Sequence, residues 1–300
     1  MLKIAFDTIY AHPLPKDHKF PMEKYELLPQ QLIYEGTVTE NNFFKPKPID
    51  EEVILKTHDE TYFRRLKNLE ITPREQRKTG FPHSKELIDR EITIMGGTFQ
   101  ASEYAMEFGV AFNIAGGTHH AYTNRGEGFC LLNDIAIAAN QLLNLGLVKK
   151  VLVVDLDVHQ GNGTAQIFQN NADVFTFSMH GKNNYPLHKE VSDLDIELLD
   201  GTDNKTYLKI LREKLPKLLE LHQPDFIFYQ CGVDVLKTDK LGKLGLSIQG
   251  CKERDRLVLE TAKSNQIPIM VSMGGGYSEK ISDIVDAHAN TYRLAQEIYF

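Results

Sequence analysis

Short apolar runs alternate along the chain with longer segments in which apolar residues recur at helical spacing. The apolar runs are typical of strands in a parallel sheet whose two faces are both covered. We predict strands at Leu2–Phe6, Val110–Ile114, Val151–Val154, Val174–Phe177, Phe226–Tyr229 and Ile267–Met273. Amphipathic helices are predicted at Asp134–Leu145, Thr206–Leu221, Cys251–Ser264 and Ser278–Ala295. This alternation predicts an α/β fold in which a mainly parallel central sheet lies between two layers of helices.

The segment from residue 10 to about residue 81 has a different pattern. It contains most of the chain's 12 prolines and few sustained apolar repeats. The chain length would allow one large domain or two small ones. We interpret this segment as irregular decoration of one catalytic domain that spans residues 1–300, which gives a single-domain three-layer α/β/α architecture.

Composition excludes several classes of function. The chain has 34 basic and 41 acidic residues and a net charge of −7, which argues against a surface whose main role is to bind nucleic acid. Its three cysteines have no spacing typical of a disulfide framework or of a cysteine zinc site. The sequence shows no export signal and no apolar run of membrane-spanning length. We therefore expect a cytoplasmic protein without membrane contact, and the sequence does not indicate its oligomeric state.

Chemically reactive side chains follow four of the predicted strands. Because the carboxyl ends of parallel strands meet at one edge of the sheet, we expect these side chains to lie close together. They are Asp155, Asp157 and His159 after Val151–Val154, His119 and His120 after Val110–Ile114, Asp234 after Phe226–Tyr229, and Tyr277 after Ile267–Met273. A solvated loop would explain any one of these segments alone, whereas all four together indicate a site.

The carboxylates and the imidazole after Val151–Val154 are ligands that suit zinc. Asp157 and His159 stand two residues apart and would share one face of an extended strand, with Asp155 behind them. With Asp234 as a third ligand, one coordination position remains for water or substrate. Zinc in such a site lowers the pKa of a bound water to roughly 7 and polarises a carbonyl oxygen. This chemistry suits the hydrolysis of an amide.

Amide hydrolysis also needs a base for the water proton and an acid for the departing amine. His119 and His120 supply two imidazoles for these roles. Tyr277 follows three glycines, which allow a close backbone approach, so its hydroxyl can lie near a developing oxyanion. A solvated turn would explain the histidine pair, and an ordinary turn aromatic would explain Tyr277, if either stood alone.

Taken together, these motifs resemble those of the zinc-dependent histone deacetylases, a family with the arginase/deacetylase fold. The resemblance covers most of the chain. In family order and spacing it rests on Gly116–Ala121 (GGTHHA), Gly128–Cys130 (GFC), Asp155–His159 (DLDVH), Gln230–Asp234 (QCGVD) and Gly274–Tyr277 (GGGY). Other segments resemble the class IV deacetylases and their bacterial homologues most: Gln160–Gly163 (QGNG), where class I members have His-Gly-Asp-Gly, Tyr185-Pro186, Asp239–Gly242 and His18–Tyr25.

The resemblance implies a catalytic role for each matching residue. The zinc ligands would be Asp157, His159 and Asp234, with one zinc per chain. His120 would be the main general base and acid, and His119, oriented by Asp155, would be its electrostatic partner. Asn162 would lie behind His120, where class I proteins have Asp, and a neutral amide stabilises an imidazolium less than a carboxylate does. Tyr277 would donate a hydrogen bond to the substrate carbonyl.

The resemblance also implies a substrate channel and structural potassium. Phe129 and Tyr185 would form opposite walls around the alkyl chain of an acyl-lysine, although core packing explains both residues equally well on sequence grounds. Gly128 would offer its carbonyl to the substrate amide, and Gly275 would also contact substrate. One potassium site would use Asp155, the main-chain oxygens of Asp157 and His159, Ser178 and Met179. A second would use the carbonyls of Phe168, Asn171 and Val174.

These expectations favour a zinc-dependent amidohydrolase that removes acetyl or longer acyl groups from the ε-amine of lysine. A deacetylase of polyamines or other small amides is the alternative, because it would use the same ligands and differ only at the rim. An arginase-type ureohydrolase is less favoured, since it needs a second metal and Gln230 and Gly232 stand where further Asp residues would be expected. A non-catalytic metal-binding protein would not need every catalytic position filled. For an acidic residue at the rim, Asp89 and Glu91 are both candidates.

Overall fold

One sheet of eight parallel strands runs through the molecule, and the computed structural model describes all 300 residues. The strands are β1 (Lys3–Ala5), β2 (Phe43–Phe44), β3 (Val110–Asn113), β4 (Val151–Asp155), β5 (Val174–Gly181), β6 (Leu194–Leu198), β7 (Phe226–Gln230) and β8 (Ile269–Ser272). Their order across the sheet is β2-β1-β3-β8-β7-β4-β5-β6. The predicted parallel sheet is confirmed. The two edge strands were not predicted, because β2 has only two residues and β6 alternates apolar with acidic residues.

Ten α-helices accompany the sheet. They are α1 (Lys24–Tyr34), α2 (Glu51–Ile54), α3 (Glu60–Lys67), α4 (Pro73–Thr79), α5 (Lys85–Phe108), α6 (Asp134–Asn144), α7 (Asn162–Phe168), α8 (Asn204–His222), α9 (Ile248–Ser264) and α10 (Ile281–Tyr299). Helices α5 and α6 pack together, and α5 contacts β1, β3 and β8. On the opposite side α9 packs between α8 and α10, and α1 packs on α10. None of the helices combines the length and the apolar character needed to cross a membrane.

Side chains alternate between the two helical layers along the central strands. In β4, Val151 and Val153 belong to the same core cluster as Leu142 of α6. Leu152 and Val154 belong to the other cluster, which includes residues of α8 and α9. Because successive strand residues point to opposite faces of a sheet, a sheet covered on both faces needs apolar residues at every position. The unbroken apolar runs and the three-layer α/β/α architecture therefore have the same cause.

The segment from residue 10 to residue 81 is more regular than predicted, since it contains helices α1 to α4. Helix α4 shows the local signals that define such a short helix. Thr72 and Glu75 form a capping box, Pro73 occupies the first turn, and Gly80 ends the helix at a φ of +79°. The helices other than α1 have only four to eight residues, too few for an apolar repeat to stand out.

Helix α5 was not predicted, although it is the longest in the protein at 24 residues. Ser84 caps its first turn and Gly109 ends it at a φ of +86°. The N-terminal segment crosses the helix at Gly96, where an added Cβ would lie only 1.9 Å from the carbonyl oxygen of Lys47. Since the helix is covered on more than one side, its buried residues do not form the single apolar stripe that identifies a surface helix.

Strands β3, β8, β7 and β4 lie next to one another in the centre of the sheet. Each is followed by one of the four reactive segments predicted from the sequence. The registry is parallel throughout, with Asp155 paired to Ser178 on β5 and to Gln230 on β7. All four segments therefore emerge at the same edge of the sheet.

Candidate active site

The residues predicted to bind metal form one buried cluster after β4 and β7. One nitrogen or oxygen atom from each of Asp157, His159 and Asp234 lies within 4.8 Å of the others. The Nδ1 atom of His159 is 3.0 Å from Oδ1 of Asp157 and 3.1 Å from Oδ2 of Asp234. Strand β4 ends at Asp155 and the chain then bends, so the prediction that Asp157 and His159 share a face of an extended strand is wrong. The bend turns both side chains toward Asp234.

Backbone groups and glycines hold the two carboxylates of this cluster. The N–H of Gly275 donates to Oδ2 of Asp157 at 2.9 Å, and the N–H of Val158 donates to Oδ1 of Asp234 at the same distance. An added Cβ on Gly232 would lie 2.0 Å from Asp157 Oδ2, and one on Gly275 would lie 2.1 Å from Asp234 Oδ2. Glycine is therefore required at both positions for the carboxylates to approach each other.

This cluster fits a divalent cation on chemical grounds. Asp157 and Asp234 are 1% and 0% exposed, and two buried carboxylates repel each other unless a positive charge lies between them. Burial and the negative charge of Asp157 raise the pKa of Asp234 to about 7. Two carboxylates with one imidazole nitrogen facing them are a donor set that suits zinc. No other cluster of at least three such residues occurs in the structure.

His119 has a carboxylate behind it. Its Nδ1 lies 2.7 Å from Oδ2 of Asp155, and both side chains are buried. Burial lowers the pKa of His119, but the charge and the hydrogen bond of Asp155 outweigh that effect and raise it to about 8. Gly161 leaves room for this pair, because an added Cβ there would lie 2.3 Å from Asp155 Oδ2. His119 and Asp155, which were predicted to interact, are thus in hydrogen-bond contact.

His120 has an amide in the same place. Its Nδ1 lies 2.6 Å from Oδ1 of Asn162, the first residue of α7. Burial lowers the pKa of His120 well below its usual value, and positive charge on His119 lowers it further. The ring centroids of the two histidines are 4.1 Å apart. Two adjacent imidazoles therefore face one cavity with opposite shifts in pKa.

Tyr277 lines the same cavity as the histidine pair. Its backbone N–H donates to Oδ2 of Asp239 at 2.6 Å, and Oδ1 of Asp239 accepts from the N–H groups of Leu241 and Gly242. Burial and the negative charges of Asp234 and Asp157 raise the pKa of Tyr277 well above its usual value. Its hydroxyl consequently stays protonated and can donate a hydrogen bond.

Two anchoring residues of Tyr277 were not predicted to act in the site. Asp239 stood out in the sequence only as part of a subfamily motif, and it holds the backbone of Tyr277. The Nζ atom of Lys24, which is fully buried, donates to the carbonyl of Gly274 at 3.1 Å and lies 5.6 Å from the centroid of the Tyr277 ring. Both contacts join residues far apart in the chain, so no local pattern in the sequence indicates them.

Aromatic rings enclose the outer part of the cavity, whose volume is ≈ 40 Å³. The Phe129 ring lies 5.2 Å from that of Phe20 and 5.3 Å from that of Phe81. Phe129 has a φ of +65°, a strained value for a residue with a side chain, and α4 supports it through the carbonyl of Thr79, which accepts from the Phe129 N–H. Phe20 and Phe81 belong to the segment before α5, where the sequence indicated no wall.

Tyr185 and Gly128 lie beside His120. The rings of Tyr185 and His120 meet edge to face with centroids 4.9 Å apart, and an added Cβ on Gly128 would lie 2.6 Å from the His120 ring. The Tyr185 hydroxyl donates to Oε2 of Glu127 at 2.7 Å. Unlike Phe129 and Gly128, Tyr185 is absent from the lining of the enclosed cavity and is 39% exposed. It therefore lies further out than a wall directly opposite Phe129.

Neither acidic residue considered for the rim lines the enclosed cavity. Glu91 is fully buried and forms an ion pair with Arg90, and Asp89 is exposed on α5, where it pairs with Lys85. Another acidic residue, Glu127, contacts Tyr185 and Arg125.

The residues predicted to bind potassium lie in two places. Asp155 and Ser178 are neighbours across β4 and β5, and Ser178 Oγ lies 2.9 Å from Nδ1 of His180. The carbonyls of Phe168 and Asn171 each accept a backbone N–H after α7, from Asn171 and Val174 respectively. These contacts do not test either potassium site, which stays a prediction.

Comparison with known proteins gives a consistent result. Residues 18–292 match a family model described as the histone deacetylase domain. An uncharacterized protein of Picosynechococcus sp. is 41% identical over 296 residues, which cover 99% of both chains. Histone deacetylase 2 of Arabidopsis thaliana is 29% identical over 289 residues, which cover 91% of this chain and 73% of that protein. The crystal structure of the HDA15 HD domain has the same fold, with a TM-score of 0.80 at 19% identity over 96% of this chain and 89% of that one.

Proposed function

The chain belongs to the histone deacetylase family, and from that premise we propose that it is a zinc-dependent amidohydrolase that removes acyl groups from the ε-amine of lysine. Family membership supports deacetylase activity in general. The observation that carries the more specific proposal is the buried cluster of Asp157, His159 and Asp234 beside His120 and Tyr277 in one cavity. Ligands, a base and a hydrogen-bond donor at a single site are what metal-assisted amide hydrolysis requires.

Zinc held by Asp157, His159 and Asp234 would supply a Lewis acid that polarises the amide carbonyl and lowers the pKa of water. His120 acts as the general base, because its low pKa keeps the imidazole neutral and able to take a proton from water. The same nitrogen then returns the proton to the departing lysine amine. His119, held by Asp155, supports this step through its charge.

The Tyr277 hydroxyl donates a hydrogen bond to the carbonyl oxygen as negative charge develops there. Asp239 and Lys24 fix the loop that carries it, which keeps the donor in place before the substrate binds. Gly128 and Gly275 line the cavity, where their backbones approach the substrate, and Phe129 and Tyr185 contact the lysine methylenes further out. Structural potassium would be held at the two predicted sites, the first by residues beside Asp155 and Ser178 and the second by carbonyls after α7.

Turnover by zinc-loaded protein of lysine peptides with acetyl, decanoyl or myristoyl groups tests this proposal, with acetylated polyamines in parallel. We expect turnover of at least one acyl-lysine peptide and a loss of about 10²-fold or more in kcat for Tyr277→Phe, since this variant removes only the hydroxyl. Turnover restricted to polyamines would favour a small-amide deacetylase. If no substrate is turned over while zinc is bound, the hydrolase proposal is wrong.

A further inference from the structure

A continuous line of four side chains runs from His120 toward the protein surface. Nδ1 of His120 lies 2.6 Å from Oδ1 of Asn162, and Nδ2 of Asn162 donates to the Tyr122 hydroxyl at 2.9 Å. The Tyr122 hydroxyl donates to Oε1 of Glu190 at 3.1 Å. His120, Asn162 and Tyr122 are buried, whereas Glu190 is partly exposed. Tyr122 and Glu190 are not among the residues predicted to act in the site.

Hydrogen-bond direction along this line follows from the chemistry of its outer end. A carboxylate accepts hydrogen bonds and cannot donate them, so the Tyr122 hydroxyl must give its single proton to Glu190. The hydroxyl oxygen can then only accept from Asn162, which places the NH₂ group of the amide toward Tyr122. The amide oxygen consequently faces Nδ1 of His120, and that nitrogen must carry a proton.

The tautomer of His120 is thereby fixed. With the proton on Nδ1, the neutral ring has its free electron pair on Nε2, the nitrogen that does not face Asn162. A general base needs such a free pair. If the Asn162 amide were reversed, its NH₂ group would face Nδ1, the ring proton would move to Nε2, and that nitrogen could no longer accept a proton.

An amide behind a histidine needs further residues to fix its orientation, whereas a carboxylate does not. Both oxygens of an Asp accept hydrogen bonds, so the Asp155 side chain holds the Nδ1–H of His119 in either orientation. The two ends of Asn162 differ, and only one orientation supports a base. The Asn162 amide group makes two hydrogen bonds, one with His120 and one with Tyr122.

Both outer residues of the line are firmly held. Gln160 accepts from the N–H of Glu190 at 2.9 Å and donates to its carbonyl at 2.7 Å. The Arg125 guanidinium stacks on the Tyr122 ring, 3.4 Å from its centroid. Burial and the charge of Glu190 raise the pKa of Tyr122 to about 12, so its hydroxyl keeps the proton that it donates.

We propose that Tyr122 and Glu190 are positioning residues that orient the Asn162 amide and so hold His120 in the tautomer with a proton on Nδ1 and a free Nε2. The effect on turnover rests on the proposed function, because it matters only if His120 is the base. The tautomer itself does not depend on that function. Both residues act through Asn162 and touch no reacting atom.

Nitrogen-15 NMR of the histidine side chains tests the tautomer directly in the full-length protein. The His120 signal is assigned by its absence from His120→Gln. In the wild-type protein we expect Nδ1 of His120 to be protonated and Nε2 to be unprotonated. In Tyr122→Phe and Glu190→Gln we expect a mixture with the reverse tautomer, whereas Glu190→Asp keeps an acceptor and stays closer to the wild type. The matched control is Glu197→Gln, which removes an exposed carboxylate on β6 that pairs only with Lys182.

Kinetics of the same variants give the second readout. Tyr122→Phe and Glu190→Gln each remove one hydrogen bond that favours the productive orientation of the Asn162 amide. We expect kcat to fall by about five- to tenfold in each variant, with KM unchanged. An unchanged His120 tautomer in both variants would overturn the positioning role. Since Glu190 is partly exposed, its variants provide the test even if Tyr122→Phe does not fold. A wild-type protein with the expected tautomer but no turnover would contradict the proposed function and leave the positioning role standing.

Discussion

His119 and His120 are adjacent in the chain and line the same cavity, yet the structure supports them in different ways. A buried carboxylate, Asp155, holds His119 directly. An amide, Asn162, holds His120 and is itself held by Tyr122. The pKa of His119 is raised to about 8, and the pKa of His120 is lowered well below its usual value.

This difference assigns the two histidines different tasks. At neutral pH a histidine with a raised pKa carries a positive charge, and one with a lowered pKa is a free base. Two residues of the same type next to each other thus give one charged group and one base, because their partners differ by a single functional group. Groups whose surroundings push their pKa values apart are typical of acid and base pairs in enzymes.

Removing each imidazole in turn gives the largest expected effect. His120→Ala deletes the proposed base, and we expect it to lower kcat/KM by about 10² to 10⁴-fold, the usual contribution of general acid and base catalysis. His119→Ala leaves the His120 imidazole in place, and we expect a smaller loss of kcat/KM. Steady-state kinetics at matched zinc content measures both. A loss in His119→Ala as large as that in His120→Ala would contradict the division of tasks.

Exchanging the carboxylate behind His119 for an amide has a smaller effect. Asp155→Asn keeps the shape of the side chain but removes the negative charge that stabilises the His119 imidazolium. We expect kcat at pH 7 to fall about tenfold, the equivalent of one pKa unit. Asp225→Asn serves as a control for general destabilisation, because Asp225 accepts from the N–H groups of Lys149 and Lys150 just before β4, away from the site. Equal activity of Asp155→Asn and wild type would show that His119 does not act through charge.

Exchanging the amide behind His120 for a carboxylate is expected to have the smallest effect on activity. It changes the pH dependence of kcat/KM. In Asn162→Asp a carboxylate favours the imidazolium form, so the pKa of His120 rises by about one unit or more. The base form is then lost at a higher pH, and the acid limb of the kcat/KM profile moves to higher pH. Profiles of wild type and Asn162→Asp that coincide would mean that Asn162 does not set the pKa of His120.

Much of the central sheet and of the inner site was predictable from the sequence. Apolar runs such as Val151–Val154 are required where both faces of a strand are covered, and nothing in strand formation explains Asp157 and His159 directly after that run. Residues that carry chemistry at strand ends are therefore visible as exceptions to the pattern. The family motifs then indicated Asp234 as the third candidate ligand.

The residues that hold the inner site in place were not predictable in this way. Asp239 and Lys24 anchor the loop of Tyr277, and Glu127 contacts Tyr185, through contacts between residues distant in the chain. Helix α5 was hidden because it is buried on more than one side. Such roles depend on tertiary neighbours, which leave no spacing to recognise.

The central claim is that Asp157, His159 and Asp234 form a single catalytic metal site. Metal analysis of the purified protein and of Asp234→Asn tests it most directly, since Asp234→Asn removes one ligand and leaves the histidine pair intact. We predict about one zinc per chain in the wild type and loss of both zinc and activity in Asp234→Asn. About two metal ions per chain, or full zinc binding by Asp234→Asn, would contradict it.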